Sequence, residues 1–459
     1  MSPVAIIGAG FTGTLTAIHL ALRLPDRPVI LFEESPEAGP GLAYRQDDAH
    51  ALLNVPARRM SAFPDEPDHF YNHVRRLLGD TVSPEDFLPR RVYGAYLKSC
   101  LEEALGRCPN LRVDHRSVVD LQAAHGGEGV VLTFRDHTTQ DCSRVVLASG
   151  NQGSAFASSI WARHTLCARQ AATYQKITPG STVLVIGTGL TMIDAVLELE
   201  RQGLAAEIHS ISRNGLVPRS YHPITGKPVP DLSGLQGAPL RKAVRLFRRA
   251  LAEHKKEGGD WRDLFAALRP TTPALWQALS LRDRQRFLRF ISPFWEVHRH
   301  QCAPPAGEKF EKLVGLGKLR LSRGTIVSVE KDQEGGKLRL GLAARNRAAA
   351  TRWLDADHII DATGPARDIG TITHPLITNL LRRGFIVPDE HRLGTKIDGD
   401  YHAIQRGGDA SKWLFVTGPM LRASFFEATA VPELRQHASF VAAKVAAELE
   451  APVKEVAPV

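Results

Sequence analysis

The feature that most constrains this chain is a glycine-rich turn that joins a short apolar run to a helical pattern. The run VAII leads directly into Gly8-Ala-Gly10-Phe-Thr12-Gly13, after which apolar residues recur at helical spacing. Gly8 permits the tight turn, Gly10 lets backbone amides approach a pyrophosphate, and Gly13 lets the helix pack closely on the strand. We therefore expect this turn, Thr12 included, to bind a dinucleotide cofactor.

The next apolar run ends in an acidic residue at the spacing that dinucleotide-binding units use. Glu33 directly follows the run VILF and lies about 20 residues beyond Gly13. A carboxylate at this place accepts hydrogen bonds from the hydroxyls of an adenosine ribose. Because strand, turn, helix and acid occur together, dinucleotide binding is favoured over a glycine-rich turn that binds no ligand.

A second unit of the same kind begins in the middle of the chain. The run TVLVI leads into Gly187-Thr188-Gly189, and Met192 takes the place of the third glycine. The pattern predicts a second dinucleotide site, whose helix packs less closely because methionine is larger than glycine. A vestigial unit that binds no ligand is the alternative.

The strand that follows this second turn ends without an acid. The run EIHSI is followed by Ser212-Arg213, and both residues are candidate cofactor contacts. An arginine here suits the 2′-phosphate of NADPH better than the bare ribose of NADH, but it could instead stack on the adenine. The choice between NADH and NADPH therefore stays open.

Three more apolar runs end in small-residue turns, at Gly150, Gly364 and Gly418. With the two glycine-rich turns they predict an α/β protein of two Rossmann-like domains, in which an NAD(P)H domain is inserted into a discontinuous FAD domain. The expected boundaries are residues 1–160 and 355–450 for the FAD domain, 175–354 for the NAD(P)H domain with a partly helical insertion at about 215–310, and 451–459 for a tail.

Composition and charge narrow the class of protein without choosing its ligand. Hydrophobic residues make up 43% of the 459 residues, which excludes wholesale disorder. A formal net charge of +9 favours anionic ligands in general. The five cysteines show no CxxC spacing, so neither a disulfide framework nor a dithiol redox centre is expected, and a reducing cytoplasm suits the chain. We expect no targeting or membrane-spanning segment.

A polar, proline-rich stretch between the first unit's elements is a candidate flavin-contacting loop. It contains Asn54, Met60 and Ser61, which we expect near the flavin ring. A purely structural loop is the equal alternative.

Residues 215–310 are expected to hold an amphipathic helix at Pro239–Glu257, with a basic outer face. A solvated surface is favoured there over a nucleic-acid or membrane contact. Further on, His298 and His300 cannot share a helical face, so no metal site is expected, and Arg299 between them is a candidate anion contact.

Several motifs resemble a known group of proteins. They are the GAGFTG turn, GLAY with His50, LNVPA, MSAFPD, PRRVYGAYL and SFFEATAVPELR. In these motifs the chain resembles the bacterial FAD/NAD(P)-binding proteins related to flavin monooxygenases and to ornithine and lysine N-hydroxylases. The resemblance covers most of the chain, and the run from Leu53 to Asp65 is its most specific part.

The resemblance implies an FAD-dependent monooxygenase that uses NADH or NADPH and O2 to hydroxylate a small anionic substrate. The specific expectation is conversion of urate to 5-hydroxyisourate in purine catabolism, with Arg58 or Arg299 holding the anion. No catalytic acid or base is assigned. Two departures from the pattern matter: no FxGxxxH segment follows Gly150, and Gly418-Pro419 stands where many flavoproteins carry Gly-Asp.

Three other functions stay open. An N-hydroxylase of an amino acid or amine would need acidic groups for the substrate ammonium. A flavin reductase could pass electrons to a protein partner. A non-enzymatic nucleotide-binding regulator would use the basic insertion on nucleic acid, although neither a nucleic-acid nor a membrane partner is expected.

Overall fold

The computed structural model describes residues 1–45, 50–125, 127, 129–154, 159, 161–331, 336–343, 350 and 352–451. The described chain forms two compact units. The first consists of residues 1–45, 56–152 and 367–451, and the second of residues 50–55 and 153–366.

Strands and helices alternate along most of the chain. The strands are β1 (Val4–Ile7), β2 (Val29–Phe32), β3 (Leu111–Asp114), β4 (Val118–Ala123), β5 (Val130–Phe134), β6 (Thr139–Cys142), β7 (Arg144–Leu147), β8 (Leu166–Cys167), β9 (Ser181–Ile186), β10 (Ala205–Ser212), β11 (Leu319–Arg323), β12 (Thr325–Lys331), β13 (Leu338–Ala343), β14 (Arg352–Ala356), β15 (His358–Asp361), β16 (His402–Ile404) and β17 (Ala410–Val416). The α-helices are α1 (Phe11–Arg23), α2 (Gly41–Tyr44), α3 (His69–Leu78), α4 (Arg90–Arg107), α5 (Ala171–Gln175), α6 (Leu190–Arg201), α7 (Leu240–Lys256), α8 (Trp261–Leu268), α9 (Thr272–Ala278), α10 (Leu281–Arg286), α11 (Ser292–Arg299), α12 (Pro304–Gly315), α13 (Pro375–Arg383) and α14 (Val431–Glu450).

The first unit is built on a six-stranded sheet in the order β16-β17-β7-β1-β2-β3. All neighbours in it are parallel except β16 and β17. Every residue of β1 and β2 is buried, as expected for central strands that are covered on both faces. Helix α1 packs against both β2 and α14, so elements from both ends of the chain share one core. A three-stranded antiparallel sheet, β4-β5-β6, belongs to the same unit.

The second unit repeats the plan with a five-stranded sheet in the order β11-β10-β9-β15-β8, parallel throughout. A three-stranded antiparallel sheet, β12-β13-β14, accompanies it. Two parallel sheets, each with a glycine-rich turn after one strand, confirm the predicted α/β fold with two Rossmann-like domains.

The helical insertion of the second unit contains α7 to α11. Helix α7 coincides with the expected helix at residues 239–257 to within one residue at each end. Helices α10 and α11 are joined without a break by a π-helical turn at Phe287–Ile291, so that they form one long helix.

The expected domain boundaries differ from the two units at one place in particular. The FAD domain was expected to resume at residue 355, but β15 pairs with β8 and β9 of the second sheet, and the first unit resumes at residue 367. Residues 50–55 also belong to the second unit. Apart from residue 451, the expected tail lies outside the described residues.

Candidate dinucleotide-binding sites

The first turn leaves no room for side chains at two of its glycines. Gly8 has φ +100°, and a Cβ atom there would lie 2.5 Å from the carbonyl oxygen of Ala148. A Cβ atom on Gly13 would lie 1.8 Å from the carbonyl oxygen of Gly8. Helix α1 therefore begins directly against the turn, with its first backbone amides at the carboxyl end of β1, where a phosphate group would lie.

The carboxylate of Glu33 is held beside this turn. Its Oε2 accepts a hydrogen bond of 2.9 Å from the backbone N–H of Ala9, and its Oε1 accepts one of 3.1 Å from that of Ser35. Both bonds fix the side chain at the end of β2, where the sequence predicts the ribose contact. The carboxylate still has lone pairs to accept hydrogen bonds from two hydroxyl groups.

A pocket of about 660 Å³ opens next to Glu33, within the first unit. It is lined by Glu33, Glu34, Ser35, Arg45, His115, Arg116, Ser117, Phe134, Arg135 and Asp136. The guanidinium of Arg116 lies 3.8 Å from the ring centre of Phe134 and 2.6 Å from a carboxylate oxygen of Asp114. Its hydrogen bond to Asp114 lowers the pKa of that carboxyl, so both groups are charged at neutral pH. The volume is in the range of small-molecule sites and suits the adenosine part of a dinucleotide.

Sequence reasoning missed most of this pocket. His115, Arg116 and Phe134 come from the ends of β3 and β5, far along the chain from Glu33. No local motif marks them, and the available signal is only that each lies at or just beyond the end of a strand.

Gly418 and Thr12 meet at the other side of the turn. Gly418 follows β17 with φ +81°, and a Cβ atom there would lie 3.6 Å from Thr12 Oγ1. Because β17, β7 and β1 are parallel, their carboxyl ends place Gly418, Gly150 and Gly8 along one edge of the sheet. Thr417 Oγ1 is buried at this edge with no hydrogen-bond partner among the described residues. An unsatisfied hydroxyl beside a phosphate-binding turn fits a polar cofactor, which would accept or donate the missing bond.

The loop that contains Met60 and Ser61 is tightly packed in the first unit. Both residues are buried, and Ser61 Oγ lies 2.6 Å from the carbonyl oxygen of Glu66. Arg435 Nη1 donates a 2.9 Å hydrogen bond to the carbonyl oxygen of Ser61. The Ser61 hydroxyl is thus engaged within its own loop. Asn54 lies in the second unit, and flavin contacts by all three residues stay predictions.

The second turn has the same backbone conformation at its first glycine as the first turn. Gly187 has φ +113°, and a Cβ atom there would lie 2.5 Å from the carbonyl oxygen of Ala362. Gly189, by contrast, has no other group within 4 Å of its Cβ position. Met192 is fully buried in the core of this unit. The methionine that replaces the third glycine is therefore a core residue.

Thr188 and Ser212 are brought together, as the sequence predicts for one site. Their hydroxyl oxygens are 2.8 Å apart, and Thr188 Oγ1 also donates to the carbonyl oxygen of Leu216. Ser212 Oγ accepts a 2.9 Å hydrogen bond from the backbone N–H of Gly215. These bonds shape the loop after β10 and so position Arg213.

A second arginine lies beside Arg213. Strands β10 and β11 are parallel and pair Ser212 with Arg323, so Arg323 ends β11 and Arg213 directly follows β10 at the same sheet edge. Both arginines are exposed, and neither forms an ion pair with a described carboxylate. Sequence reasoning missed Arg323 because its pairing with β10 is a long-range contact.

The turn at Gly364 is fixed by an aspartate that ends β15. Asp361 Oδ1 accepts hydrogen bonds from the backbone N–H and the hydroxyl of Thr363, at 2.9 and 2.7 Å. Its Oδ2 accepts one from the hydroxyl of Ser154. Gly364 follows with φ +83°.

Neither of the two expected substrate arginines belongs to a glycine-rich turn. Arg58 forms an exposed ion pair of 2.6 Å with Glu85. Arg299 is half-buried at the end of α11 in the second unit. Substrate binding by either arginine stays a prediction.

The described residues show neither a metal site nor a membrane-spanning helix. No cluster of three or more His, Cys, Asp or Glu side chains in the described part of the chain is arranged to hold a metal ion. None of the described helices combines the length and hydrophobicity needed to cross a bilayer.

Comparison with known proteins supports the cofactors that the turns predict. Residues 5–152 match the model of a family described as FAD-NAD(P)-binding. This match confirms the prediction of FAD together with NADH or NADPH, and it covers the first glycine-rich turn, Glu33 and Gly150.

Curated and solved relatives are distant. The chain is 22% identical over 333 residues to the uncharacterized protein YdhS of Escherichia coli, an alignment that covers 62% of this chain and 61% of YdhS. The ornithine N-hydroxylase KtzI of Kutzneria sp. 744 superposes with a TM-score of 0.64 at 14% identity, covering 98% of this chain and all of KtzI. The cadaverine monooxygenase DfoA of Erwinia amylovora superposes with a TM-score of 0.59 at 15% identity, covering 97% of this chain and 94% of DfoA. At such identities the two superpositions establish a shared fold.

Proposed function

We propose that this chain is an FAD-dependent monooxygenase that uses NAD(P)H and O2 to hydroxylate the nitrogen of a small amine or amino acid. The observation that carries the proposal is the presence of two glycine-rich turns, each after a parallel strand of its own sheet, in a fold shared over nearly the whole chain with KtzI and DfoA. The KtzI structure holds reduced FAD, NADP+ and L-ornithine, and DfoA acts on cadaverine. Ornithine and cadaverine both end in a primary amine.

This proposal replaces urate as the favoured substrate. Nothing in the comparisons supports urate or purine catabolism, and the N-hydroxylase alternative has the support of two superposed structures. The two arginines expected to hold urate lie in a surface ion pair and in the helical insertion.

The chain's own residues would bind and orient the two cofactors. In the first unit, backbone amides of the turn around Gly10 would receive the pyrophosphate of FAD, Gly8 and Gly13 would give the turn its shape, and Glu33 would hold the ribose. Bound FAD, once reduced by NAD(P)H, would supply the electrons that split O2 and place one oxygen atom on the substrate. In the second unit, Gly187 and Gly189 would receive the nicotinamide cofactor.

Product analysis with the FAD-loaded protein tests the proposal. NADPH and NADH oxidation in air would be followed with ornithine, lysine, cadaverine and urate, together with hydrogen peroxide and the mass of the product. We expect an amine substrate to accelerate oxidation and gain one oxygen atom, with little peroxide released. Acceleration by urate alone would overturn the choice of substrate.

Three further outcomes would contradict the assignment as a monooxygenase. Oxidation that yields only peroxide with every substrate would indicate an oxidase. Electron transfer that persists without O2 to a protein acceptor would indicate a flavin reductase. If neither NADH nor NADPH reduces bound FAD, the chain is not an NAD(P)H-dependent flavoenzyme.

A further inference from the structure

The positive charge of this chain is concentrated in its helical insertion. Residues 239–300 contain fourteen lysine and arginine residues and six aspartate and glutamate residues, so they carry +8 of the formal net charge of +9. Neither glycine-rich turn belongs to this segment. The charge therefore needs an explanation other than binding of the dinucleotide phosphates.

One long helix of the insertion exposes apolar and basic side chains on the same face. Leu281, Phe290 and Phe294 have exposed fractions of 53%, 51% and 55%. The other exposed residues between positions 281 and 294 are Arg282, Gln285, Arg286 and Arg289. We call these seven residues the aromatic-basic face. None of the seven is an acid, and Arg286 pairs with the partly buried Asp283 at 3.2 Å.

The aromatic-basic face is not needed for the core of the insertion. The helix packs inward through Phe287, whose ring centre lies 6.0 Å from that of Trp276 and 6.1 Å from that of Trp295. The π-helical turn at Phe287–Ile291 adds a residue to the spacing, so that Phe294 follows Arg289 on the outer side. Two phenylalanines one turn apart are thus presented to solvent, while Phe287 is partly buried.

Helix α7 of the same insertion has a strongly basic exposed side. Its exposed charged residues are Arg241, Lys242, Arg245, Arg248, Arg249, Glu253, Lys255 and Lys256. The single acid, Glu253, pairs with Arg249 at 2.9 Å. Phe265 of α8 contacts both Phe247 of α7 and Trp295 of α11, so α8 joins the two basic helices.

We propose that the helical insertion binds the surface of an anionic membrane, with Phe290 and Phe294 inserted at the boundary of headgroups and acyl chains. Helices that lie in this interface carry arginine and lysine beside phenylalanine and leucine, because the cations meet lipid phosphates while the apolar side chains leave water. Charge complementarity selects an anionic partner, and the exposed apolar side chains select lipid over nucleic acid. Leu281 and the two phenylalanines offer no hydrogen bonds to base edges or phosphates, but they gain free energy on transfer to an apolar phase. The inference does not rest on the proposed reaction.

Flotation of the full-length, FAD-loaded protein with lipid vesicles tests this proposal. Vesicles of phosphatidylcholine with phosphatidylglycerol would be compared with vesicles of phosphatidylcholine alone. We expect binding to the anionic vesicles only, weakened by salt. The double variant Phe290→Ser with Phe294→Ser should bind at least about tenfold more weakly.

A second variant and a matched control separate lipid binding from loss of structure. Arg282→Gln with Arg289→Gln should weaken binding about fivefold for each arginine removed. Phe440→Ser removes an equally exposed phenylalanine from α14 of the first unit and should change nothing. Bound FAD and circular dichroism verify that every variant is folded.

Three results would overturn the proposal. They are absence of binding to anionic vesicles, equal binding by the phenylalanine variant and the parent protein, and tighter binding to a single-stranded RNA oligonucleotide that the phenylalanine substitutions leave unchanged. The last result would assign the basic surface to nucleic acid.

Discussion

Gly13 lies so close to the preceding turn that even a methyl group would displace helix α1. A Cβ atom there would lie 1.8 Å from a backbone oxygen, far inside van der Waals contact. In the second turn Met192 takes the place of this third glycine, while Gly189, the second glycine of that turn and the residue before α6, faces open space. The two positions therefore separate a steric requirement of the fold from a mere match to a sequence motif.

Replacing Gly13 with alanine should impair FAD binding, whereas replacing Gly189 with alanine should not. Overpacking of this kind costs about 1–3 kcal/mol, so we expect FAD to bind about tenfold more weakly to Gly13→Ala. Titration of the apoprotein with FAD, followed by flavin fluorescence, measures the change. Equal affinity of the two variants for FAD would contradict the geometry of the turn.

Two buried histidines of the first unit make its stability depend on pH. Burial lowers the pKa of His19 and of His437 to about 4 in each case, from 6.5. Between these values the unfolded chain binds protons that the folded unit does not, so stability is full above pH 6.5 and falls as the pH drops towards 4. At pH 5 each histidine lowers the free energy of unfolding by about 2 kcal/mol relative to its value above pH 6.5.

Substitution of His437 should therefore reduce the sensitivity of the first unit to acid. We expect the urea midpoint of His437→Gln to change less between pH 7.5 and pH 5 than that of the parent protein. The substitution removes about half of the stability loss that the two buried histidines cause. His222→Gln, a change at an exposed histidine of the second unit, is the control and should keep the parent's pH dependence. An unchanged pH dependence in His437→Gln would contradict the low pKa.

At the scale of elements, the strand ends decide which coenzyme fits the second unit. Arg213 directly follows β10 and Arg323 ends the neighbouring β11, and neither strand carries an acid at its last residue or directly after it to receive a free ribose hydroxyl. Two guanidinium groups at one edge favour the 2′-phosphate of NADPH.

Substitution of either arginine should weaken binding of 2′,5′-ADP and leave binding of 5′-AMP unchanged. Loss of one charge-assisted contact corresponds to about tenfold in affinity. Arg320→Gln is the matched control, because Arg320 lies on the same strand but pairs with Glu207 at 2.9 Å. Calorimetric titration measures the affinity of each variant for 2′,5′-ADP and for 5′-AMP. An equal loss of affinity for both nucleotides would indicate that Arg213 and Arg323 stack on the adenine or have a structural role.

The elements also show how far the sequence alone could lead. Both glycine-rich turns, the buried strands before them and the basic helix at 240–256 follow from local patterns of glycine and apolar residues. The pairing of one strand with another does not follow from such local patterns. The run before Gly364 fits either sheet equally well, since a short apolar strand and a small-residue turn are common to both, and its pairing with β9 depends on contacts far along the chain. For the same reason, neither the place of Arg323 beside Arg213 nor the pocket beside Glu33 could be predicted from the sequence.

At the scale of the molecule, the two units divide the proposed chemistry. The first holds the turn matched by the FAD-NAD(P)-binding family model, and the second repeats the turn on its own parallel sheet. The excess positive charge lies in neither turn but in the helices inserted into the second unit. Cofactor binding and the proposed membrane contact are therefore carried by separate parts of the chain and can be tested by separate variants.

The packing of α14 against α1 has a consequence for synthesis on the ribosome. The first unit begins with β1 and α1, but β17 and α14, which complete its sheet and cover α1, are translated only after the whole second unit. The nascent chain must therefore carry an uncovered apolar helix while the whole second unit emerges. Nascent chains of this kind are natural clients of chaperones, and FAD should add to the stability of the first unit only after α14 has left the exit tunnel.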